Sequence, residues 1–443
     1  MSIRFGTDGV RGRAYDEFSV ADARRIGYAA ATVLGAGRAI LAHDSRESGD
    51  DLTAAAAQGL IDGGVAAEYL GVAPTPAVAF LSAADDVIGV MVSASHNPWH
   101  DNGIKIFAPG GRKLTDQQQQ HMEAKLASSS SDTAPDHLPQ PISDRPLIDS
   151  RLGEYTRHLT GTVRPDALAG MRVVIDAANG AASAIAGPVL ADLGADVVTV
   201  GTSPSGRNIN DRCGSTHPEA LQRLVLESEA DAGVALDGDA DRLIAVDHTG
   251  AIVNGDQLIA ICAVDMQERG VLADSTVVVT VMTNLGFRLA MIDAGLAVHE
   301  TAVGDRHVLA ALEEHDWSLG GEQSGHLIFR RLSTTGDGLL SAVQMLDTVK
   351  RSGSTLHQLA AAAMTIFPQV LKNVSVAEKI PNVAQQLADE IAQAEQDLGP
   401  QGRVLIRASG TEPLIRVMVE AATLEKAEQV STTLADAVRV RFQ

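Results

Sequence analysis

The stretch Asp86-Val-Ile-Gly-Val-Met-Val-Ser-Ala-Ser-His-Asn-Pro98 runs from a short apolar segment into a loop of small and polar residues. Its apolar part, residues 87–92, predicts a buried β-strand. In open α/β sheets, ligands bind in the crevice beyond the ends of the strands. The loop that starts at Ser93 is therefore a candidate binding or catalytic loop.

The same order of apolar strand and polar loop occurs twice more along the chain. Asp231-Ala-Gly-Val-Ala-Leu runs into Asp237-Gly-Asp-Ala-Asp-Arg242, and Trp317-Ser-Leu runs into Gly320-Gly-Glu-Gln-Ser-Gly-His326. This weak internal similarity predicts three sheets that each supply one loop to a shared cleft.

Helix-period and strand-like segments alternate in the first third of the chain. Ser19, with Asp22 three residues later, is expected to cap a helix over residues 20–33. Residues 38–43 predict a buried strand, and the alanine-rich residues 51–60 predict a second helix. This alternation favours an α/β fold with a parallel sheet and crossover helices.

Later parts of the chain divide by composition. Residues 128–149 are rich in Ser, Pro and Asp without periodicity, and we interpret them as a linker or surface excursion. Strand–helix alternation then resumes, with a predicted strand at 171–175 and a predicted helix at 182–193. After Phe367-Pro368 the pattern becomes two strands and a long helix, which is typical of a small α+β module. We therefore predict four domains, with the boundaries 1–150, 151–250, 251–367 and 368–443.

Composition limits the classes of partner. The 443 residues include 35 Lys+Arg and 56 Asp+Glu, a formal charge of −21 that disfavours binding to nucleic acids or to anionic membranes. Two cysteines cannot form a disulfide framework, so a reducing compartment is expected. The sequence has no signal-peptide pattern at its start and no apolar window long enough to span a membrane, and we expect a cytoplasmic protein.

Asp237-Gly-Asp239-Ala-Asp241-Arg242 is a candidate metal site. Carboxylates at i, i+2 and i+4 point to one side of an extended segment, and a hard divalent cation such as Mg²⁺ relieves their repulsion. An EF-hand loop is excluded because its sixth position must be Gly and its twelfth Glu, whereas Arg242 and His248 stand there. A solvated acidic turn remains the alternative.

Ser95 is a candidate nucleophile, beside an imidazole and a carboxamide in Ser93-Ala-Ser-His-Asn-Pro98. Lys105 follows closely and brings a cation that can neutralise a phosphate or donate a proton. A capped turn is the alternative interpretation of the same residues, because Asn-Pro is an ordinary turn starter.

Arg407-Ala-Ser409-Gly410-Thr411-Glu-Pro-Leu-Ile-Arg416 combines two guanidinium groups, two hydroxyls and a glycine between two predicted strands. Backbone N–H groups in such a turn can bind an anion, and arginines add bidentate recognition, so we interpret it as a phosphate-binding loop. It lacks the Gly-Lys-Ser/Thr ending of a Walker loop, and a plain hairpin is the alternative. Residues 321–326 supply groups suited to sugar hydroxyls, and Arg11 lies between glycines near the start.

Taken in order, the four motifs resemble those of the α-D-phosphohexomutase family along essentially the whole chain. Ser-Ala-Ser-His-Asn-Pro resembles the family's phosphoserine loop, Asp-Gly-Asp-Ala-Asp-Arg its metal loop, Gly-Glu-Gln-Ser-Gly-His its sugar loop and Arg-Ala-Ser-Gly-Thr-Glu-Pro its phosphate loop. The resemblance implies three related α/β domains and a small α+β C-terminal domain around a central cleft.

The resemblance also implies residue roles. Ser95 would carry the phosphoryl group, and Asp237, Asp239 and Asp241 would hold one Mg²⁺ together with that phosphoserine. The residues that would contact the substrate are Glu322 and Ser324 for the sugar and Arg407, Ser409, Gly410, Thr411 and Arg416 for its phosphate. Arg11, Lys105 and Arg242 would line the reaction centre. Asp305 replaces a histidine found in some relatives, so the general base has no assignment.

Within the family, the residues 5–12, Gln323 and 303–306 are similar to members that act on amino sugars. The resemblance thus implies interconversion of glucosamine 6-phosphate and glucosamine 1-phosphate through a 1,6-bisphosphate, which also serves as activator, in the supply of UDP-N-acetylglucosamine for cell-wall precursors. Activation of Ser95 by a kinase or by autophosphorylation is left open. The rivals are a phosphoglucomutase or phosphomannomutase with the same mechanism, a magnesium-dependent phosphatase with an aspartyl nucleophile, and a non-catalytic phosphosugar-binding protein.

Overall fold

The structure is a computed structural model that describes residues 3–6, 8–128, 146–378, 380, 382–408 and 413–442. By the density of internal contacts the chain forms two units. The first contains Met1–Val281 and Ala297–Ala361, and the second contains Met282–Leu296 and Ala362–Gln443. Among the described residues, no helix combines the length and apolar character required to cross a membrane.

The first sheet of the first unit has the strand order β1-β5-β4-β2-β3, with the short β6 paired to β5. Its strands are β1 (Val10–Arg13), β2 (Arg38–His43), β3 (Ala66–Val72), β4 (Ile88–Val92), β5 (Asp101–Ala108) and β6 (Arg112–Lys113). The helices of this region are α1 (Val20–Leu34), α2 (Gly49–Asp62), α3 (Thr75–Asp85) and α4 (Asp116–Ser128). The predicted Ser19–Asp22 capping box at the start of α1 is confirmed.

The second and third sheets follow the same plan. The second sheet, in the order β11-β10-β9-β7-β8, comprises β7 (Arg172–Asp176), β8 (Asp196–Val200), β9 (Ala232–Leu236), β10 (Leu243–Asp247) and β11 (Ile252–Val253), with helices α5 (Leu152–Gly161), α6 (Ala186–Asp192) and α7 (Glu219–Glu227). The third sheet has the order β13-β12-β14-β15. Its region contains α8 (Gly255–Glu268), β12 (Thr276–Thr280), β13 (Ala297–Thr301), α10 (Asp305–Glu314), β14 (Leu319–Gly321), β15 (Leu327–Phe329), α11 (Gly338–Ser352) and α12 (Leu356–Ala363).

The sheets are mixed, which corrects the prediction of a parallel sheet. In each, three strands are parallel (β3-β2-β4, β8-β7-β9 and β13-β12-β14), and the next strand (β5, β10 or β15) is antiparallel. The reason is loop length, because a parallel crossover needs about a dozen residues or more. The connections 93–100, 237–242 and 322–326 are shorter, so each can only form a hairpin.

The helix expected over 182–193 begins only at Ala186, because Pro188 has no N–H to donate to residue 184 and its ring clashes with that carbonyl. The linker expected at 128–149 lies mostly outside the described residues. Of its described residues, Ser128 closes α4 and Leu147 forms a β-bridge with Tyr69.

The second unit contains an antiparallel sheet in the order β16-β18-β17. Its elements are α9 (Leu285–Asp293), β16 (Gln369–Ser375), α13 (Val383–Gln386), α14 (Ala388–Leu398), β17 (Arg403–Ala408), β18 (Leu414–Glu420) and α15 (Leu424–Phe442). A cluster of buried aliphatic residues packs between the sheet and helices α13, α14 and α15. The predicted small α+β module is therefore confirmed.

Helices α1 and α2 pack through glycines. A Cβ on Gly59 would lie 1.9 Å from the carbonyl oxygen of Arg24, and a Cβ on Gly27 would lie 2.0 Å from that of Ala56. Such backbone contact excludes any side chain at either position.

We expect Gly59→Ala to lower the stability of the first unit by about 1–3 kcal/mol, because overpacking outweighs the gain in helix propensity. Gly153→Ala in α5 is the matched control, since nothing lies within 4 Å of its added Cβ, and it should stabilise by about 0.5–1 kcal/mol. Thermal unfolding of both variants checks this, and a stable Gly59→Ala protein would contradict the packing.

Candidate functional site

The three motif loops occupy the same topological position, between the third parallel strand and the antiparallel strand of their sheets. They connect β4 to β5, β9 to β10, and β14 to β15. The loops also touch: the Leu243 N–H donates to the carbonyl of Gly325 at 2.9 Å, and the Ser95 hydroxyl donates to Asp237 Oδ2 at 2.6 Å. The expectation that three sheets each supply one loop to one site is thus met.

Ser95 is fully buried and its backbone is left-handed, with φ 54°. This conformation is uncommon for a residue other than glycine and persists only where the surroundings enforce it. The hydroxyl lies between Asp237 and His96, whose Nδ1 is 3.3 Å away. Burial and the neighbouring Arg242 lower the pKa of His96 to about 4.

The metal loop is a tight turn, which corrects the prediction of an extended segment. Ala240 is left-handed, with φ 61°, and its N–H donates to the carbonyl of Asp237 at 3.0 Å. Gly238 permits close approach to the phosphoserine loop, since a Cβ there would lie 2.6 Å from the carbonyl oxygen of Ser95. The three carboxylates therefore converge because the chain turns and not because a strand alternates.

The donor set suits a hard cation. Buried oxygens of Asp237, Asp239 and Asp241 lie within 4.8 Å of one another, and Oδ1 of both Asp239 and Asp241 has no hydrogen-bond partner. Burial, reinforced by the charges of Asp241 and Asp239, raises the pKa of Asp237 well above its usual value. Oxygen-only ligands in this arrangement fit a divalent cation such as Mg²⁺.

Lys105 is the main counter-charge of this cluster. Its ammonium lies 2.8 Å from carboxylate oxygens of Asp8, Asp239 and Asp241. Burial opposes its charge, but these carboxylates outweigh burial and raise the pKa of Lys105 well above its usual value. Lys105 therefore stays protonated, as the neutralising role predicted for it requires.

Arg11 and Arg242 lie around the same cluster. The Arg11 guanidinium donates to Asp8 at 2.6 Å, and the backbone N–H of Arg242 donates to Asp237 Oδ1 at 3.1 Å. Burial disfavours charge on Arg242, yet Asp241 and Asp237 raise its pKa. Together with Lys105 these side chains bring three positive charges to the metal loop.

The sugar-loop residues differ in their settings. Glu322 is partly buried and its Oε1 accepts a hydrogen bond from the Gly304 N–H at 3.0 Å, whereas Ser324 is exposed. His326, at the end of the motif, is buried, with Nδ1 3.6 Å from Asp241 and Nε2 3.2 Å from Asp305. Asp305 also pairs with Lys113.

Arg407 and Arg416 lie in the second unit, directly opposite each other on β17 and β18. Burial and the charge of Arg416 lower the pKa of Arg407. Two adjacent guanidinium groups without an intervening carboxylate in that register attract an anion. Ser409, Gly410 and Thr411 lie outside the described residues.

Sequence reasoning missed several residues that hold the site. Asp8 contacts Arg11, Lys105 and Lys113, and its place in the motif Phe-Gly-Thr-Asp-Gly-Val-Arg-Gly was the available signal. Thr75 donates to Asp239 Oδ2 at 2.6 Å from the start of α3. No local pattern marked Thr75, because the contact joins residues 164 positions apart.

The start of α11 is hydrogen-bonded to the metal loop. The Gly338 N–H donates to the carbonyl of Ala240 at 3.0 Å, and Asp337 caps the helix by accepting from the Leu340 N–H at 2.9 Å. The Tyr155 hydroxyl donates to the other Asp337 oxygen at 2.9 Å. Burial raises the pKa of Asp337 from 3.8 to about 6.

This shift predicts a pH effect on stability. Between pH 4 and pH 6 the folded protein keeps the Asp337 proton that the unfolded chain loses, so stability falls as pH rises through this window. Asp337→Asn lacks this titration and should gain about 3 kcal/mol relative to wild type between pH 4 and pH 7. Unfolding midpoints of both proteins across this range measure the difference, and a pH-independent difference would contradict the assignment.

A second prediction concerns the metal. Asp239→Asn should weaken Mg²⁺ binding at least about tenfold, because it removes one negative ligand without changing its shape. Titration calorimetry with MgCl₂ measures this. Asp196→Asn is the control, since that carboxylate lies at the start of β8 with its side chain 69% exposed. Equal affinities in all three proteins would rule out the carboxylate cluster as the ligand set.

Comparison with known proteins identifies the family of the chain. Sequence models of the phosphoglucomutase/phosphomannomutase family match its alpha/beta/alpha domains I, II and III at residues 2–133, 153–250 and 254–367, and its C-terminal domain at 371–437. The phosphoglucosamine mutase of Clavibacter sepedonicus is 49% identical over 100% of both chains. That of Streptomyces coelicolor is 47% identical over 99% of both.

Solved structures show the same fold. A phosphoglucomutase/phosphomannomutase family protein from Burkholderia thailandensis has a TM-score of 0.80 at 24% identity, covering 98% of this chain and 97% of that one. An N-acetylphosphoglucosamine mutase from Aspergillus fumigatus, in complex with GlcNAc-6P and magnesium, has a TM-score of 0.67 at 19% identity, covering 100% and 96%. With its four domains matched in order and its relatives aligned from end to end, the chain belongs to the phosphoglucomutase/phosphomannomutase family, the α-D-phosphohexomutases.

Proposed function

We propose that the chain interconverts glucosamine 6-phosphate and glucosamine 1-phosphate, the reaction of a phosphoglucosamine mutase. One observation carries the chemistry: the buried Ser95 hydroxyl lies 2.6 Å from Asp237 in a cluster of three carboxylates and one lysine. The full-length relatives named phosphoglucosamine mutase support this sugar over glucose or mannose phosphates, which remain the alternative substrates.

Phosphorylated Ser95 would donate its phosphoryl group to the sugar. The bond from Ser95 Oγ to phosphorus breaks as a bond from phosphorus to the sugar 1-oxygen forms, and the proton of the 1-hydroxyl ends on Ser95 Oγ. The product is glucosamine 1,6-bisphosphate. After it reorients, the bond from its 6-oxygen to phosphorus breaks as a bond from phosphorus to Ser95 Oγ forms. The proton of the Ser95 hydroxyl ends on the 6-oxygen, and glucosamine 1-phosphate leaves. The same bisphosphate, added from outside, would load an unphosphorylated Ser95 and so act as activator.

Such a transfer depends more on charge neutralisation and alignment than on a strong base. Asp237, Asp239 and Asp241 would hold one Mg²⁺ per chain, which supplies Lewis-acid stabilisation of the transferring group. Lys105 would contribute a fixed positive charge, since three carboxylates hold it protonated. Arg11 and Arg242 would add two more beside it.

Substrate recognition would divide between two loops. Glu322 and Ser324 would bind the sugar ring, and the phosphate that is not reacting would bind to Arg407, Ser409, Gly410, Thr411 and Arg416. The pairing of Arg407 with Arg416 supports this, because two guanidinium groups side by side need an anion. One loop must accept both phosphate ends of the bisphosphate. A site that recognises only the phosphate group allows this.

Several expectations extend this proposal. The domain boundaries 1–150, 151–250, 251–367 and 368–443 assign one motif loop to each domain. First phosphorylation of Ser95 would come from a kinase, from autophosphorylation or from the bisphosphate. The site would work in the cytoplasm, where its phosphosugar substrate is made and used.

The test compares turnover of glucosamine, glucose and mannose 6-phosphates with a trace of the matching 1,6-bisphosphate. We expect glucosamine 6-phosphate to be preferred by at least about tenfold in kcat/KM, because one hydroxyl-to-amine exchange at a polar site is worth several kcal/mol. Preference for another sugar would overturn the assigned substrate.

Ser95→Ala is the mechanistic arm of the same experiment. It should lose activity by more than about a thousandfold, since transfer has no other acceptor. Intact-mass measurement should show phosphate on the wild-type peptide that contains Ser95 and none on the variant. Phosphate on Asp237 instead of Ser95 would support the alternative of a phosphatase with an aspartyl nucleophile.

A further inference from the structure

One buried arginine is surrounded by the phosphoserine loop. Arg46 lies just after β2 and is 2% exposed. Its guanidinium donates to four backbone carbonyls of the loop: those of Ser95 at 2.8 Å, Asn97 at 2.9 Å and Asp101 at 3.0 Å, and that of Pro98. Its Nε–H donates to Asp44 Oδ2 at 2.8 Å. All five N–H groups of the guanidinium thus have one partner each.

Asp44 extends the contact to the other side of Ser95. The Asp44 carboxylate accepts from the Ser93 hydroxyl at 2.6 Å, and Ser93 Oγ in turn accepts from the Ser95 N–H at 2.9 Å. Arg46 therefore binds the peptide group that follows the Ser95 Cα directly, and Asp44 holds the peptide group that precedes it through the Ser93 hydroxyl. This accounts for the left-handed backbone of Ser95.

The segment also fixes the loop relative to the metal-loop region. Ser45 donates to the carbonyl of Asn179, and Glu47 accepts two hydrogen bonds from Arg207 at 2.7 and 2.8 Å. Asn210, from the same region, donates to the carbonyls of Ser95 and Asn97 at 2.9 and 3.1 Å. Asp44 and Arg46 thus bind the phosphoserine loop, and Ser45 and Glu47 bind the region that carries Asp237.

We propose that Arg46 is a positioning residue for phosphoryl transfer, which sets where Ser95 Oγ stands relative to Asp237. This rests on the proposed function. Arg46 is buried and its N–H groups bond within the protein, so it acts without binding the substrate, and its pairing with Asp44 leaves little net charge. It acts through the geometry of the loop. A displacement of about 1 Å at a reacting group can cost about a hundredfold in rate.

Lysine cannot replace this arginine. An ammonium has three donors and no planar fork, so at least two of the five hydrogen bonds that Arg46 makes would be lost. A lysine at position 46 nevertheless keeps the positive charge and the approximate volume of the side chain. Arg46→Lys therefore separates the geometry of the guanidinium from the presence of a buried cation.

The experiment measures kcat and KM of Arg46→Lys with glucosamine 6-phosphate. We expect kcat to fall about 10- to 100-fold and KM to change less than about threefold, because alignment affects the transfer and not sugar binding. Arg351→Lys is the matched control. Arg351 pairs with Asp265 and Asp347 in the same unit, and its loss should lower the unfolding midpoint without changing kcat.

A spectroscopic readout follows the loop directly. Trp99 follows Pro98, is 36% exposed, and lies 5.2 Å from the Arg207 guanidinium. In a Trp317→Phe background it is the single tryptophan of the chain. Arg46→Lys should raise acrylamide quenching of Trp99, whereas Arg351→Lys should leave it unchanged.

Wild-type kcat in Arg46→Lys, or equal kcat loss in Arg46→Lys and Arg351→Lys, overturns the proposal. If Arg46→Lys does not fold, Ser93→Ala decides in the same assays, since it removes only the hydroxyl between Asp44 and the Ser95 N–H. We expect its kcat to fall about 3- to 10-fold with KM unchanged, and an unchanged kcat overturns the proposal. Absence of mutase activity in the wild type would instead refute the proposed function. Arg46 is then judged by the rate at which hexose 1,6-bisphosphate phosphorylates Ser95.

Discussion

Three buried carboxylates within 4.8 Å of one another are the constraint on which the site depends. Unit charges about 4 Å apart repel by roughly 4 kcal/mol at an effective dielectric constant of about 20, so Asp237, Asp239 and Asp241 cannot all stay ionised without compensation. The fold meets this with Lys105, which touches two of them. It also leaves two oxygens without hydrogen-bond partners for a cation. The Ser95 hydroxyl, the positive side chains and the start of α11 all face this cluster.

The same cluster resolves a conflict between global and local charge. A net charge of −21 argues against an anionic ligand when it is spread over the whole surface. Screening limits that field to about 8 Å at physiological salt, so nearby groups decide what a site attracts. Around the metal loop, Lys105, Arg11 and Arg242 lie beside three acids, and a divalent cation would offset two of their three negative charges. The acidity belongs mainly to the outer surface, and the site itself suits a phosphosugar.

Much of the fold and site was predictable from local signals. The strand at 38–43, the Ser19 capping box and the hairpin strand at 414–420 have the predicted positions, because periodicity and capping are local properties. The prediction of a parallel sheet is confirmed for three strands in each of the first three sheets and is wrong for the strand after each motif loop, since strand direction depends on the length of each connection. The late start of α6 follows from Pro188. The roles of Arg46 and Thr75 were not predictable, because their partners lie about 50 to 160 residues away in the chain.

The sequence by itself determined which chemical groups are present and where they lie: a serine and three carboxylates in loops that follow predicted strands, and two arginines on either side of a turn between two predicted strands. Residue type and local pattern suffice for this, because the side chain sets the chemistry and the strand–loop order sets its place in a sheet. Only the tertiary structure decided how the serine meets the carboxylates and that the two arginines lie opposite each other. The 2.6 Å contact of Ser95 with Asp237, the left-handed backbone of Ser95 and the hold of Arg46 on four carbonyls join distant segments. Such contacts arise from packing, which no short stretch of sequence encodes.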